Sequence, residues 1–280
     1  MLGKVVRCHH GCATVYTFEN RSVSQKPRKC LIFCAIQKTD PRCFTCQMAS
    51  FFLASSKAEE GWMSLVEQHA LLPDDIDKGS IGMVTRHLMD DGWDDDERLF
   101  VASRIVRAEG DLEISKFIQF SDNAISEAVD ALVNKKTIVT DVRMVQVGIS
   151  EALLKTVGVS TVCKINTTEV ADRAKMDKTT RSIANIRELQ SFLNDAIVCV
   201  GNAPTALLEI LDMVRSGNVY PAMIVGMPVG FIACAESKYE LTQTNVEYIT
   251  VTGNRGGSSA AAATINALVL LALDKIKGKE

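Results

Sequence analysis

The chain has 280 residues, 47% of them hydrophobic and 23% charged, with 17 glycines and 6 prolines. That composition excludes a disordered or collagen-like polymer and permits a core of ordinary size. A formal net charge of −3 excludes a surface given over to phosphate backbones, so no nucleic-acid partner is expected.

Residues 1–70 stand apart. They hold nine Lys/Arg against five Asp/Glu, a balance of +4, and the remainder carries −7. Six of the nine cysteines lie there, Cys8, Cys12, Cys30, Cys34, Cys43 and Cys46, with His9, His10 and His69. Met1–Arg7 places charges where a secretory signal needs an apolar core. No clear helical or strand period is visible, and we read 1–70 as a Cys-rich extension of unassigned fold. Cys43-Phe44-Thr45-Cys46 is a CxxC, and Cys30 with Cys34 a CxxxC. These four are the weak candidates for a zinc or iron–sulfur site, but the spacing matches no specific pattern. No metal is therefore assigned, and disulfides are disfavoured in a cytoplasmic chain.

From residue 71 the pattern becomes regular, and 71–280 is read as one domain. Asp74–Asp90 is the first expected helix. Asp94-Asp95-Asp96-Glu97 opens a second that runs to about Glu109, with Asp94 and Glu97 spaced as a capping box. Asp122–Asn134 is a third. Short β-rich runs follow at Thr137–Thr140, Thr161–Ile165, Ala196–Val200, Ala222–Val225 and Tyr248–Val251. Helical stretches lie between and after them at Thr179–Leu193, Pro204–Arg215, Phe231–Leu241 and Ser258–Lys277. Strands alternating with helices of this length imply an α/β fold, a parallel sheet with helices on both faces. The uncharged stretch Ser216–Ala235 is the nearest to a membrane span, but Pro221, Gly226, Pro228 and Gly230 make it strand, turn and helix start. A soluble, cytoplasmic protein is expected.

In such sheets ligands bind beyond the carboxyl ends of the strands. Thr180-Arg181-Ser182 begins a helix, and an arginine there suits a carboxylate, although a plain surface arginine reads the same way. Gly201-Asn202-Ala203-Pro204-Thr205 joins a strand to a helix, with Pro204 suited to the first turn. Its amides are either an anion cradle or a tight turn without a ligand. Glu236 and Lys238, two apart, do not face each other on a helix. Gly253-Asn254-Arg255-Gly256-Gly257-Ser258-Ser259 fits neither the P-loop nor the dinucleotide fingerprint, yet its amides could cradle carboxylates.

Several of these blocks occur together in one known family. Thr140-Asp141-Val142 with Met144 and Gly148, Thr180-Arg181-Ser182, Val200-Gly201-Asn202-Ala203-Pro204-Thr205-Ala206-Leu207, Gly226-Met227-Pro228-Val229-Gly230-Phe231, Ala235-Glu236-Ser237-Lys238, and Gly253 with Gly256-Gly257-Ser258 appear in order. Residues 71–280 thereby resemble the precorrin-8X and cobalt-precorrin-8 methylmutases. The resemblance does not reach 1–70.

That resemblance implies a Rossmann-like sheet and a homodimer that binds a corrin precursor, a tetrapyrrole, near the subunit interface. It implies an isomerase without cofactor, which moves a methyl group between neighbouring ring carbons by a 1,5-sigmatropic shift in cobalamin biosynthesis, giving hydrogenobyrinate or its cobalt form. The family's histidine, thought to protonate or hydrogen-bond a ring nitrogen, sits in an Arg-x-(Ile/Val)-His context. This chain reads Arg104-Ile105-Val106-Arg107, so the position is Arg107, whose guanidinium is no ordinary proton donor because its pKa lies above ~12. The family's Arg-Ser-Phe is here Gly79-Ser80-Ile81. His87 falls within about 20° of Ser80 on the helix face, making it a displaced acid or an ordinary helix-end histidine.

The substrate's acetates and propionates call for local positive charge. Arg181 is the first candidate clamp, with Arg107, Lys238 and Arg255 behind it, although Lys238 reads equally as a structural residue paired within its own loop–helix unit. Ser80, Ser182, Gly201, Asn202, Ala203, Thr205, Gly256, Gly257 and Ser258 complete the expected substrate-binding set. An alternative is a homologue that binds tetrapyrrole without turning it over, and a third reading is an isomerase for a different modified tetrapyrrole.

Overall fold

Ile197–Val200 and Met223–Gly226 are four-residue runs with no solvent-exposed position. They are the centre of a six-stranded sheet in a computed structural model, which describes residues 72–278 and the backbone of three strands nearer the start. The chain divides into two compact units, Met1–Leu71 and Leu72–Glu280.

In the first unit β1 (Gly3–Arg7), β2 (Ala13–Phe18) and β3 (Ile32–Ile36) form an antiparallel sheet in that order, with Val15 opposite both Val6 and Cys34. Cys30, Cys43 and Cys46 lie outside the described residues.

The second unit runs α1 (Pro73–Asp90), α2 (Asp96–Glu109), a 3-10 turn, β4 (Ile118–Phe120), α3 (Ala124–Val133), β5 (Ile138–Thr140), α4 (Arg143–Gly148), α5 (Glu151–Val157) and β6 (Thr161–Val162). It continues with α6 (Thr168–Met176), α7 (Arg181–Glu188), a second 3-10 turn, β7 (Ile197–Val200), α8 (Pro204–Arg215), β8 (Met223–Gly226), α9 (Cys234–Thr242), β9 (Tyr248–Val251) and α10 (Ser258–Lys277). The sheet order is β4-β9-β8-β7-β5-β6. β9, β8, β7, β5 and β6 are parallel, and β4 is antiparallel to β9.

The two faces follow from the period of two along a strand. Ile197, Cys199, Met223 and Val225 face the larger core with α2, α3 and α10. Val198, Val200 and Ile224 face the second core with Leu207, Ile210 and Leu241 of α8 and α9. Each aliphatic side chain fully buried this way contributes about 1.5–3 kcal/mol. α10 is long and apolar enough to span a membrane, but ten of its residues, including Ile265, Leu268 and Val269, are buried between the sheet and its neighbouring helices.

The expected α/β fold with helices on both faces is the observed one, with local differences. The sheet is not wholly parallel, because β4 closes its edge in the opposite direction. The cap of α2 is Asp95, whose side chain accepts from Arg98 N at 2.9 Å. In a run of three aspartates the cap has slipped by one residue from Asp94. The stretch Thr179–Leu193 is α7 followed by a 3-10 turn, and α9 begins at Cys234, three residues later than expected. β6 has only two residues, and α4, α5 and α6 were not anticipated.

Candidate functional site

β5 and β7 are neighbours, but the chain leaves β5 for β6 on one side and leaves β7 for β8 on the other. That reversal opens a crevice at their carboxyl ends, where α/β sheets usually bind ligands. Here the amides at the base of the crevice are taken by the protein itself. The fully buried Asp141 carboxylate accepts from the backbone N–H groups of Gly201 at 3.0 Å, Asn202 at 2.9 Å and Ala203 at 3.0 Å. Burial pushes the Asp141 carboxyl above its ordinary range, and the amide bonds pull the other way. The anion read from the amides of Gly201, Asn202 and Ala203 is therefore an internal one. Asn185 supports it, donating from Nδ2 to Asp141 O at 3.1 Å and accepting from Lys164 N at 3.0 Å.

Gly201 is required by close approach. A Cβ there would stand 2.5 Å from Val145 Cγ2 and 3.0 Å from both Ala261 Cβ and Ser258 Cα. The β7–α8 loop thus presses against the start of α10.

Thr180 caps α7 by accepting from Ile183 N, and its hydroxyl lies 3.3 Å from that of Thr205. Two helix starts therefore meet beside Arg181 and the half-buried Ser182. Arg181 donates to Ile165 O at 2.6 Å and is otherwise exposed. It lines a cavity of about 440 Å³ with Asn166, Thr167, Thr168 and Lys175.

On the other side of α10, Arg107 lies in the last turn of α2, half-exposed and ion-paired with Asp77 of α1. Arg104, one turn earlier, stacks 3.4 Å over the Phe100 ring, and burial lowers its pKa. These three charged groups, with Ala263 and Asn266 of α10, border a cavity of about 190 Å³. Ser80 turns its hydroxyl back to Ile76 O at 2.8 Å. His87 lies 3.5 Å from Asp91 and does not border this cavity. The structure brings Arg104, Arg107 and Asp77 together and leaves His87 out.

The loop after β9 is anchored at several points. Arg255 pairs with Asp111 at 2.7 Å and lies 5.3 Å from the Phe117 ring centre. Gly257 donates to Met227 O at 2.9 Å. Gly256 has φ +126°, and a Cβ there would meet Met227 O at 2.8 Å. Ser259 donates to Glu109, whereas the buried Ser258 hydroxyl has no partner. Lys238, fully buried, donates to Pro228 O at 3.1 Å and Arg255 O at 2.6 Å.

Nothing in the sequence marks Asp77, and Arg104 and Asp141 stand out there only as members of family blocks. A carboxylate directly after a strand at the switch point was the available signal for Asp141. A larger cavity, about 650 Å³, lies at the opposite end of the sheet beside Tyr220, Asn245 and Glu247, away from every expected site residue. Among the described residues no group of three or more His, Cys, Asp or Glu side chains is placed to hold a metal.

A family model described as precorrin-8X methylmutase matches residues 75–271. A cobalt-precorrin-8 methylmutase of Priestia megaterium is 34% identical over 200 residues, covering 71% of this chain and 88% of the relative. One from Leptospira interrogans is 38% identical over 179 residues, covering 61% and 81%. The crystal structure of a precorrin-8x methyl mutase from Thermus thermophilus superposes with a TM-score of 0.65 at 31% identity, covering 72% of this chain and 98% of that one.

Proposed function

The chain belongs to the precorrin-8X methylmutase family, and we propose that its substrate lies along the carboxyl ends of the sheet, between the Arg181 cavity and the Arg104–Arg107 cavity. The protein is an isomerase of cobalamin biosynthesis, acting by intramolecular methyl transfer. The substrate is a (cobalt-)precorrin-8 tetrapyrrole, and any cobalt belongs to the substrate.

The single observation that carries the site reading is the charge at the α1–α2–α10 cavity. Two guanidiniums, Arg104 and Arg107, face one carboxylate, Asp77. The surplus positive charge fits an anionic ring substituent, bound by a bidentate fork. A methyl shift within one molecule needs no external nucleophile. The protein's part is to fix the ring's conformation and to place fixed charges where electron density moves. Arg107 supplies a permanent donor where the family carries a histidine, Arg181 holds a carboxylate on the far side, and no cofactor takes part.

We further propose a cytoplasmic homodimer. Phe231 and Ile232, each 89% exposed, and Val229, 46% exposed, stand out from the β8–α9 loop as an apolar projection suited to a second copy.

One observation favours a second reading, a tetrapyrrole binder without turnover: Arg107, which the resemblance sets at the family's histidine position, is already engaged by Asp77. Anaerobic incubation with precorrin-8 and, separately, cobalt-precorrin-8, followed by absorption spectroscopy and product chromatography, decides between the two. Conversion of either supports the methylmutase and identifies the metal state. Stoichiometric binding without conversion supports the binder.

A further inference from the structure

Among the described residues Lys238 is the largest fully buried side chain, and no carboxylate pairs with it. A buried ammonium without a counter-ion is costly and persists only where its donors are well used. Its donors go to two loops that are far apart in sequence. One bond ends on Pro228 O, just after β8, and the other on Arg255 O, just after β9. Beside it lies the Cys234 thiol, one helical turn earlier on α9, which donates to Pro228 O at 3.1 Å. Burial lowers the lysine's pKa, and the contact with Cys234 opposes that change.

The two loops meet at other points as well. Gly230 donates to Asn254 O at 3.3 Å, and Gly257 to Met227 O at 2.9 Å. Between these contacts α9 starts without a side-chain cap at Ala233, a non-glycine residue with φ +56°. A left-handed alanine is strained and persists only where its surroundings hold it. The lysine and the thiol lie in the first two turns of α9, directly after it. Two of its three N–H donors are spent on backbone carbonyls and its side chain is fully buried, which supports a structural role for Lys238 over a direct contact with substrate.

We propose that Lys238 is a positioning residue for the methyl shift: its ammonium clamps the β8–α9 loop to the β9–α10 loop, so that Val229–Phe231, Arg255 and the start of α10 form one wall of the site. The clamp acts through Arg255, whose carbonyl it fixes while the guanidinium reaches to Asp111. Its link to catalysis rests on the substrate placement given above, whereas the clamp itself is a property of the two loops.

The test is Lys238→Met in the full chain, which keeps the length and apolar stem and removes the donors. Hydrogen exchange should show residues 228–233 and 253–257 losing protection roughly tenfold or more, with β7 and the middle of α10 unchanged. With precorrin-8 or its cobalt form, KM should rise about tenfold while kcat stays within about threefold. Unchanged protection in both loops overturns the clamp. Loosened loops with wild-type KM and kcat overturn its role in positioning. If the wild type converts neither substrate, the exchange result still decides the clamp, and its role in the methyl shift fails together with the methylmutase reading.

Should the variant not fold, native-state exchange on the wild type decides. The amides of Gly230, Ser237 and Gly257 should open together, with one free energy and one denaturant slope. Separate opening energies for the two loops overturn the proposal.

Discussion

Arg107, at the end of α2, is ion-paired across the helix interface with Asp77 of α1. The pair is half-exposed on both sides, so its own contribution to stability is small, about 0–1 kcal/mol. Its consequence is electrostatic: it fixes Arg107 over the cavity that Arg104 shares. Arg107→Ala should lower kcat/KM by about ten- to a hundredfold, the usual loss of a charge-assisted hydrogen bond. Arg107→His should keep or raise turnover in a methylmutase, and would create it in a protein that only binds. Steady-state kinetics on both variants check this, and wild-type kcat/KM in Arg107→Ala would remove Arg107 from the site.

Asp77→Ala tests the same cavity from the other side. Without the carboxylate, two guanidiniums face the cavity unopposed. The dissociation constant for the polycarboxylate substrate should fall severalfold at low salt, and the gain should shrink as salt screens it. Titration at two ionic strengths measures this, and an affinity unchanged at low salt would mean that substrate carboxylates do not approach Arg104 and Arg107.

Asp141→Asn should destabilise the domain by about 2–4 kcal/mol, because three amide donors then share one carbonyl oxygen and meet an NH2 group. The pH dependence has a definite sign. An acid whose pKa is higher folded than unfolded holds its proton more tightly in the folded state. The stability contributed by Asp141 is therefore greatest in acid and is lost as pH rises from the ordinary carboxylate value through the raised one. Urea unfolding from pH 3 to 7 should show the wild-type-minus-variant difference falling with pH. A rising difference would mean that the amide bonds outweigh burial.

These residues also show what the sequence could disclose. Ile197–Val200 is an apolar run bounded by turn signals, and the strand is found there. Ile118–Phe120 has three residues after a 3-10 turn, too few to establish a period, and its direction depends on pairing with β9. The Gly201 loop presented its amides plainly, but the carboxylate that fills them lies 60 residues earlier. Arg107 was visible by position in a motif. Its partner Asp77 was not, because that contact depends on how α1 crosses α2.

Gly201→Ala should cost about 1–3 kcal/mol by overpacking, since the new methyl would stand 2.5 Å from Val145 Cγ2. Val145→Ala in the same chain should recover part of that loss but not all, because Ala261 Cβ and Ser258 Cα remain at 3.0 Å. A double-mutant cycle by chemical denaturation measures the coupling. Strict additivity would show that the loop shifts away from Val145.

The projection at Phe231 and Ile232 offers the most direct test of assembly. Two adjacent large apolar side chains, each 89% exposed, lose nothing in this subunit's packing when replaced, so Phe231→Ser/Ile232→Ser should leave the melting temperature of an isolated subunit nearly unchanged. In a dimer each side chain buried at the contact is worth about 1.5–3 kcal/mol, and a twofold interface counts every loss twice. The dimer dissociation constant should therefore rise by several orders of magnitude, turning a dimer at micromolar concentration into a monomer by light scattering. The loop also abuts the substrate wall, so turnover should fall along with the dimer and recover at high protein concentration. A variant that stays dimeric would place the contact elsewhere. A monomeric variant with full turnover would mean that each subunit holds a complete site.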